Sequence, residues 1–169
     1  LPMRIIALGH KARQGKTWSA NFLARHLPGR SLIWGFADNL KSYTRISYGM
    51  QEKDPQLLQY VGELLRQEDP EVWIKAWEGT IQDQEGGVDW VLVPDLRYWN
   101  EAEYLRERGA LLVKVQRLHP DGALWVAEDR PASHPSETSL DLWKDWDREI
   151  SAVGIVELEE TLRQSSPWG

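Results

Sequence analysis

Five short apolar runs divide this chain, and between them apolar residues recur every three or four positions. Ile5-Ile6-Ala7-Leu8 is the first run and Leu32-Ile33-Trp34-Gly35-Phe36 the second. Trp90-Val91-Leu92-Val93 ends at Pro94-Asp95, Leu111 to Val115 follows, and Glu149 to Ala152 is a short fifth. The first four are near-continuous rather than alternating, which predicts strands covered on both faces. The stripes between them predict helices. Trp18, Phe22, Leu23 and Leu27 mark the first, closed by a turn at Pro28-Gly29. Asp38 reads as the N-cap of a second helix that runs to Tyr48 and stops at Gly49. Asp54-Pro55 opens a helix carrying Leu57, Leu58, Val61, Leu64 and Leu65, and Asp69-Pro70 opens one carrying Val72, Trp73, Trp77 and Ile81. Gly86-Gly87 breaks that region. A helix from Trp99 to Arg108 closed by Gly109, and a last one leaving Gly154 through Leu158 and Leu162, complete the pattern.

Strands alternating with helices predict an α/β fold with a five-stranded parallel sheet and helices on both faces. Ligands of such sheets bind beyond the carboxyl ends of the strands. The loop Gly9 to Lys16, Asp38, Asp95 and Arg117 all follow strand ends, so residues distant in sequence are expected on one edge. The stretch from His119 to Ser139, rich in proline, serine and charge, reads as a mobile excursion. A length of 169 residues suits one core, hence a single domain over 1–169 with a helical region about 38–85.

The first of those loops carries the chemistry. Gly9 and Gly15 bracket a turn that ends in Lys16-Thr17, between a strand and a helix. That is the order a phosphate-binding loop needs: glycines let several N–H groups turn inward on an anion, and the helix start and the lysine add positive charge. The usual pattern has four residues between its glycines, whereas five lie between Gly9 and Gly15. Either the loop is one residue longer, or His10 takes the first-glycine position with Gly9 bending the chain before it. Lys11 and Arg13 add basic charge to the same loop. A glycine-rich turn without a ligand is the plainer alternative.

Charge and composition narrow the picture. The net charge of −6 argues against general nucleic-acid binding. No cysteine is present, so disulfides and thiolate metal sites are excluded. No run approaches a membrane span and no signal peptide is visible. The expectation is a soluble cytoplasmic protein, with Met3 as the natural start after Leu1 and Pro2. Glu101, Glu103, Arg106 and Glu107 read as a solvated helix face, and most of the ten tryptophans as core or cleft wall.

Four segments together resemble the phage-type deoxynucleoside monophosphate kinases, within the P-loop nucleoside monophosphate kinases. They are the loop Gly9 to Thr17, Phe36-Ala37-Asp38-Asn39-Leu40-Lys41, Asp95-Leu96-Arg97-Tyr98-Trp99-Asn100-Glu101-Ala102, and His134-Pro135-Ser136-Glu137-Thr138-Ser139-Leu140-Asp141. They are similar to that family's loop, F-A-D-x-L-K, D-V-R-F-x-N-E-A and H-x-S-E-x-x-L-D. The family loop commonly reads G-K-D-T where this chain has Gly15-Lys16-Thr17-Trp18. The resemblance implies a P-loop kinase fold that transfers the ATP γ-phosphoryl group to a deoxynucleoside 5′-monophosphate with magnesium. In a phage-encoded protein the location is the host cytoplasm.

Residue roles follow from that resemblance and from position. Gly9, Lys11, Ala12, Arg13, Gly15, Lys16 and Thr17 would hold ATP, with Arg117 flanking the donor nucleotide. Thr17 and Asp95 would hold magnesium, partly through water. Asp38, Lys41, Arg66 and Arg97 would bind the acceptor. Arg66 is either a fork for its phosphate or a surface arginine lying along its helix. Tyr43, Tyr48, Trp73 and Trp99 are candidates to stack on a base, against ordinary packing for each. Lys16, Asp95, Arg97 and Arg130 are the expected catalytic groups. Residues 119–139 would close as a lid bringing Arg130 over the transferring group, against a plain loop with Arg130 paired to Asp129 or Glu128. His134 and Glu137 read as lid or helix-opening architecture, and Thr138 with Asp141 as a capping box. Other readings stay open: an acceptor such as dephospho-coenzyme A, with Asp38 as base, or a nucleotide sensor without turnover. A homodimer is also open.

Overall fold

The computed structural model describes residues 2–168, so Leu1 lies outside it. The strands are β1 (Arg4–Gly9), β2 (Ser31–Ile33), β3 (Trp90–Leu96), β4 (Leu111–Arg117) and β5 (Arg148–Ala152). The helices are α1 (Lys16–His26), α2 (Phe36–Tyr48), α3 (Pro55–Glu68), α4 (Val72–Gln82), α5 (Trp99–Glu107), α6 (Pro135–Thr138) and α7 (Ile155–Gln164). The strands form one parallel sheet in the order β2-β3-β1-β4-β5. Among the described residues no helix is long and apolar enough to cross a membrane.

Each strand sends alternate side chains to opposite faces, and both sets are apolar. Ile6, Leu8, Leu92, Val113 and Ile150 meet Phe22 and Leu23 of α1 and Leu158 and Leu162 of α7. Ala7, Val91, Val93 and Leu112 meet Phe36 and Leu40 of α2, Trp77 of α4 and Leu105 of α5. Helices therefore cover both faces, as the continuous apolar runs predict. The central strand β1 takes β3 on one side and β4 on the other, so the order in which strands are added reverses there. That reversal opens a crevice at the strands' carboxyl ends.

The second run departs from expectation. Strand β2 stops at Ile33, and Phe36 already opens α2. The cause lies on another strand: the Asp95 carboxylate accepts the Phe36 N–H at 3.0 Å and the Ala37 N–H at 2.8 Å. Asp38 is thus inside the first turn, where its carboxylate accepts the Gly35 N–H at 2.7 Å. Gly35 itself is required, because a Cβ there would lie 2.4 Å from the Asp95 carboxylate. The expected capping box at Thr138 and Asp141 is also absent. Thr138 ends α6 and donates to the His134 carbonyl, while Asp141 accepts from the Lys11 ammonium. Helix α6 is capped by His134, whose ring Nδ1 accepts the Ser136 N–H.

Candidate active site

The loop between β1 and α1 settles the glycine spacing. Gly9 still pairs within the sheet, opposite Leu96, and a Cβ on it would lie 2.7 Å from the Trp146 ring. The turn begins at His10, which holds φ 101, a value that favours glycine. Arg13 at φ 56 and Gly15 at φ 100 complete it. His10 therefore stands where the pattern has its first glycine. Burial, then the Lys11 and Lys114 charges, hold its imidazole down at about 4. Gln14 ties the loop down from behind. It is buried, donates to the Trp125 carbonyl at 2.8 Å and accepts the Arg117 N–H at 2.7 Å.

Lys16 is 5% exposed, with its ammonium donating to the carbonyls of His10 and Lys11. Burial pulls its pKa down to about 7, and the Arg97 and Arg130 charges add to that, while Glu137 and Asp95 oppose it. Those couplings place cations and carboxylates from widely separated segments around one ammonium. Lys16, Arg97, Arg130 and Asp95 all line one cleft of about 1210 Å³ at the carboxyl edge of the sheet. Arg13, Gly15, Thr17, Asp38, Lys41 and Arg66 line it too. A smaller pocket of about 360 Å³ lies at the opposite strand ends, by Arg4 and Trp90. No residue singled out for chemistry lines that pocket.

The cleft lining includes the partly buried Asp95 and the buried Glu101. Burial pushes the Asp95 carboxyl above its usual range, while the Ala37 N–H and Arg97 pull back. Burial and the Asp95 charge push Glu101 up to about 7. Glu101 is 4% exposed, and one of its oxygens accepts the N–H groups of Arg97 and Tyr98 at 3.1 and 3.2 Å. It does not belong to a solvated face, as its position on α5 predicted. Arg106 does not either: it is tied to Asp145 and Asp147. Arg66, in the last turn of α3, lies over the Tyr98 ring at 4.3 Å, and its guanidinium passes Gly62 one turn back on the same helix. The Arg97 Nε is buried and has no hydrogen-bond partner.

Residues 119–139 lie against both sides of this cleft. Arg13 pairs with Asp129 at 2.6 Å, and His134 Nε2 lies 2.6 Å from Glu63 on α3. The buried Glu137 carboxylate accepts the Ala12 N–H at 3.2 Å, and its other oxygen is 3.9 Å from the Arg130 guanidinium. Arg130 also lies 3.6 Å from Asp129.

Some expected ligand residues are elsewhere. The Lys11 ammonium turns to the Glu137 carbonyl at 2.6 Å and to Asp141 at 2.7 Å, because that carboxylate lies beside the loop. Arg117 stacks on Trp125, with centre-to-ring distance 4.2 Å. Trp73 is buried among α2, α3 and α4, its indole N–H donating to the Gly62 carbonyl. Gly9, Ala12, Lys11, Arg117 and Trp73 do not line the cleft. The residues missed by position alone are Gln14, Tyr98, Glu101 and Glu63. Glu101 and Tyr98 lie in the segment Asp95 to Ala102 that carries the family resemblance, and that was their signal.

For a metal, the cleft lining offers the Thr17 hydroxyl and the carboxylates of Asp38, Asp54, Glu63, Asp95, Glu101 and Asp129. Among the described residues no three His, Cys, Asp or Glu side chains gather as an ion cage. Thr17 and Asp95, the expected pair, are both hard oxygen donors, the kind magnesium takes together with waters and phosphate oxygens. No family model matches the chain. No curated protein matches it in sequence.

Proposed function

We propose that this protein is an ATP- and magnesium-dependent kinase that phosphorylates the 5′-phosphate of a deoxynucleoside monophosphate. The observation that carries the reading is the convergence of Lys16, Arg97, Arg130 and Arg66, from four separate segments, on one cleft beside a positive-φ loop and a helix start. Cations gathered from separate segments at one strand edge of a chain with net charge −6 suit phosphate groups, although carboxylates line the same cleft. The resemblance of four sequence segments to phage-type deoxynucleoside monophosphate kinases, and a β2-β3-β1-β4-β5 parallel sheet with the loop on its central strand, support the same reading.

The chemistry asks for alignment and charge neutralisation more than for a base. The N–H groups of the loop from Lys11 to Lys16, of which Ala12 now bonds Glu137, would hold the donor phosphates together with the Lys16 ammonium. Arg66 and Arg97 would hold the acceptor phosphate on the opposite side of the cleft. Arg130 would stabilise the charge that spreads over the transferring group. Magnesium bound through Thr17, with Asp95 behind it, would neutralise phosphate charge. The acceptor phosphate is already anionic, so no proton needs removing.

A hydroxyl acceptor such as that of dephospho-coenzyme A is the weaker reading. The natural base for it, Asp38, already accepts the Gly35 N–H and lies 3.8 Å from the Lys41 ammonium. The deciding experiment is product formation from ATP and magnesium over a panel of nucleoside and deoxynucleoside monophosphates, with dephospho-coenzyme A included. Diphosphate product from a deoxynucleotide is expected. ATP binding with no product from any acceptor would overturn the kinase reading in favour of a sensor.

A further inference from the structure

Among the described residues Glu137 is the one whose carboxylate accepts a backbone N–H of the loop. It comes from the short helix α6, is 5% exposed, and accepts the Ala12 N–H with one oxygen. Its other oxygen is buried without a hydrogen-bond partner, and the nearest cation, Arg130, is 3.9 Å away. The Arg130 Nε likewise makes no hydrogen bond, although Asp129 lies 3.6 Å from it. A buried carboxylate with one oxygen unsatisfied beside a guanidinium too distant to bond it is costly. An anion with more oxygens would satisfy both the amide and the guanidinium.

We propose that Glu137 is a resident anion of the phosphate site, which holds the Ala12 amide and Arg130 until a phosphate group of the nucleotide takes both over. This rests on the phosphate-loop reading above and adds its regulation. One amide cannot serve two anions, and two anions side by side repel, so phosphate binding and the Glu137 contact exclude each other. Only the side chain has to turn away. The backbone of α6 stays beside the loop because the Lys11 ammonium holds the Glu137 carbonyl at 2.6 Å and the Asp141 carboxylate at 2.7 Å. Arg130 is then released from Glu137 only when a phosphate is present, while Asp129 stays beside it on its own segment. The exchange ties the arginine's availability to occupancy of the loop.

A permanent brace would predict the opposite sign, which makes the proposal testable with inorganic pyrophosphate alone. Titration calorimetry on wild type, Glu137→Gln and Lys16→Ala gives the three affinities. Glutamine keeps an acceptor for Ala12 but loses the charge-assisted bond and the repulsion. Glu137→Gln is expected to bind pyrophosphate about tenfold more tightly than wild type, in the usual range of coupling between two competing interactions. Equal or weaker binding overturns the resident-anion proposal. Lys16→Ala separates that failure from the larger one. If it loses pyrophosphate while Glu137→Gln gains nothing, the loop reading stands and only the Glu137 proposal falls. If Lys16→Ala binds as wild type does, both fall. A wild-type structure with bound pyrophosphate tests the same point without a variant. Glu137 turned from the Ala12 N–H is expected, and Glu137 still bonded to it overturns the proposal.

Discussion

An ammonium group that is 5% exposed and shares its surroundings with two guanidiniums is poorly placed to keep its proton, and burial holds the Lys16 pKa at about 7. The proposed phosphate contact needs the charged form. As pH rises through that value the free protein loses the charge, so ATP affinity should weaken above it. The expected outcome is a fall in ATP affinity between about pH 6 and 9 in wild type that Lys16→Met lacks, read by equilibrium titration at constant ionic strength. Lys16→Ala should keep its circular dichroism spectrum and lose phosphoryl transfer by at least about 100-fold, the scale of removing one transition-state charge partner. Glu101 carries the opposite lesson in sign. Its folded pKa of about 7 stands above the 4.5 of an ordinary glutamate, so the folded state holds this proton more tightly than the unfolded chain does. Its contribution to stability is therefore present in full below about pH 4.5 and is lost as pH rises to about 7. Glu101→Gln keeps an acceptor for the Arg97 and Tyr98 N–H groups without the buried charge. Its melting temperature should exceed that of wild type at pH 8 and converge on it at about pH 5. A wild-type advantage at pH 8 would mean the Glu101 charge is wanted by Arg66.

At the scale of elements, the start of α2 shows how one strand organises another segment's helix. Asp95, at the end of β3, takes the first two free N–H groups of α2, and Gly35 leaves room for it. An asparagine has one carbonyl for those two donors. Asp95→Asn should cost about 1–2 kcal/mol of stability, measured by denaturant unfolding, and should lower transfer as well if Asp95 supports magnesium. Loss of stability with unchanged turnover would confine Asp95 to the cap. The same contact explains what the sequence hid. The apolar run Leu32 to Phe36 looks like one strand because Trp34 and Phe36 are both apolar. Yet Asp95, 59 positions from Phe36, decides that Phe36 begins a helix. Strands β1, β3 and β4, and the caps at Asp54, Gly49 and Gly109, were legible because local turn chemistry and burial agree there. The turn between β1 and α1 was legible from its glycines, but only its backbone shows His10 in a conformation that favours glycine. Lys11, Arg117 and Trp73 were misplaced for one reason: a basic or aromatic residue near a strand end has more than one direction to face. Asp141, Trp125 and Gly62 took them.

Across the whole molecule, residues 119–139 connect the two sides of the cleft that the proposed reaction must bring together. On the donor side Asp129 and Glu137 meet Arg13 and Ala12; on the acceptor side His134 meets Glu63 of α3. Any movement of this segment therefore changes both sides at once, and Arg130 travels with it. A group carried on such a segment contributes when the segment is closed over substrate, so its loss should appear in the transfer step more than in binding. Arg130→Ala should lower kcat by about 100-fold or more while the ATP dissociation constant changes by less than about fivefold. The reverse pattern, a large loss of ATP affinity at unchanged kcat, would make Arg130 an ordinary ground-state ligand. It would also leave the segment without a role in the transfer. Glu63→Gln adjusts the same segment from the acceptor side. It weakens the His134 contact without touching the loop, so it should raise the KM for the acceptor and leave ATP affinity alone. Equal effects on both substrates would mean that the segment moves as one rigid clamp. An effect on ATP alone would sever it from the acceptor altogether.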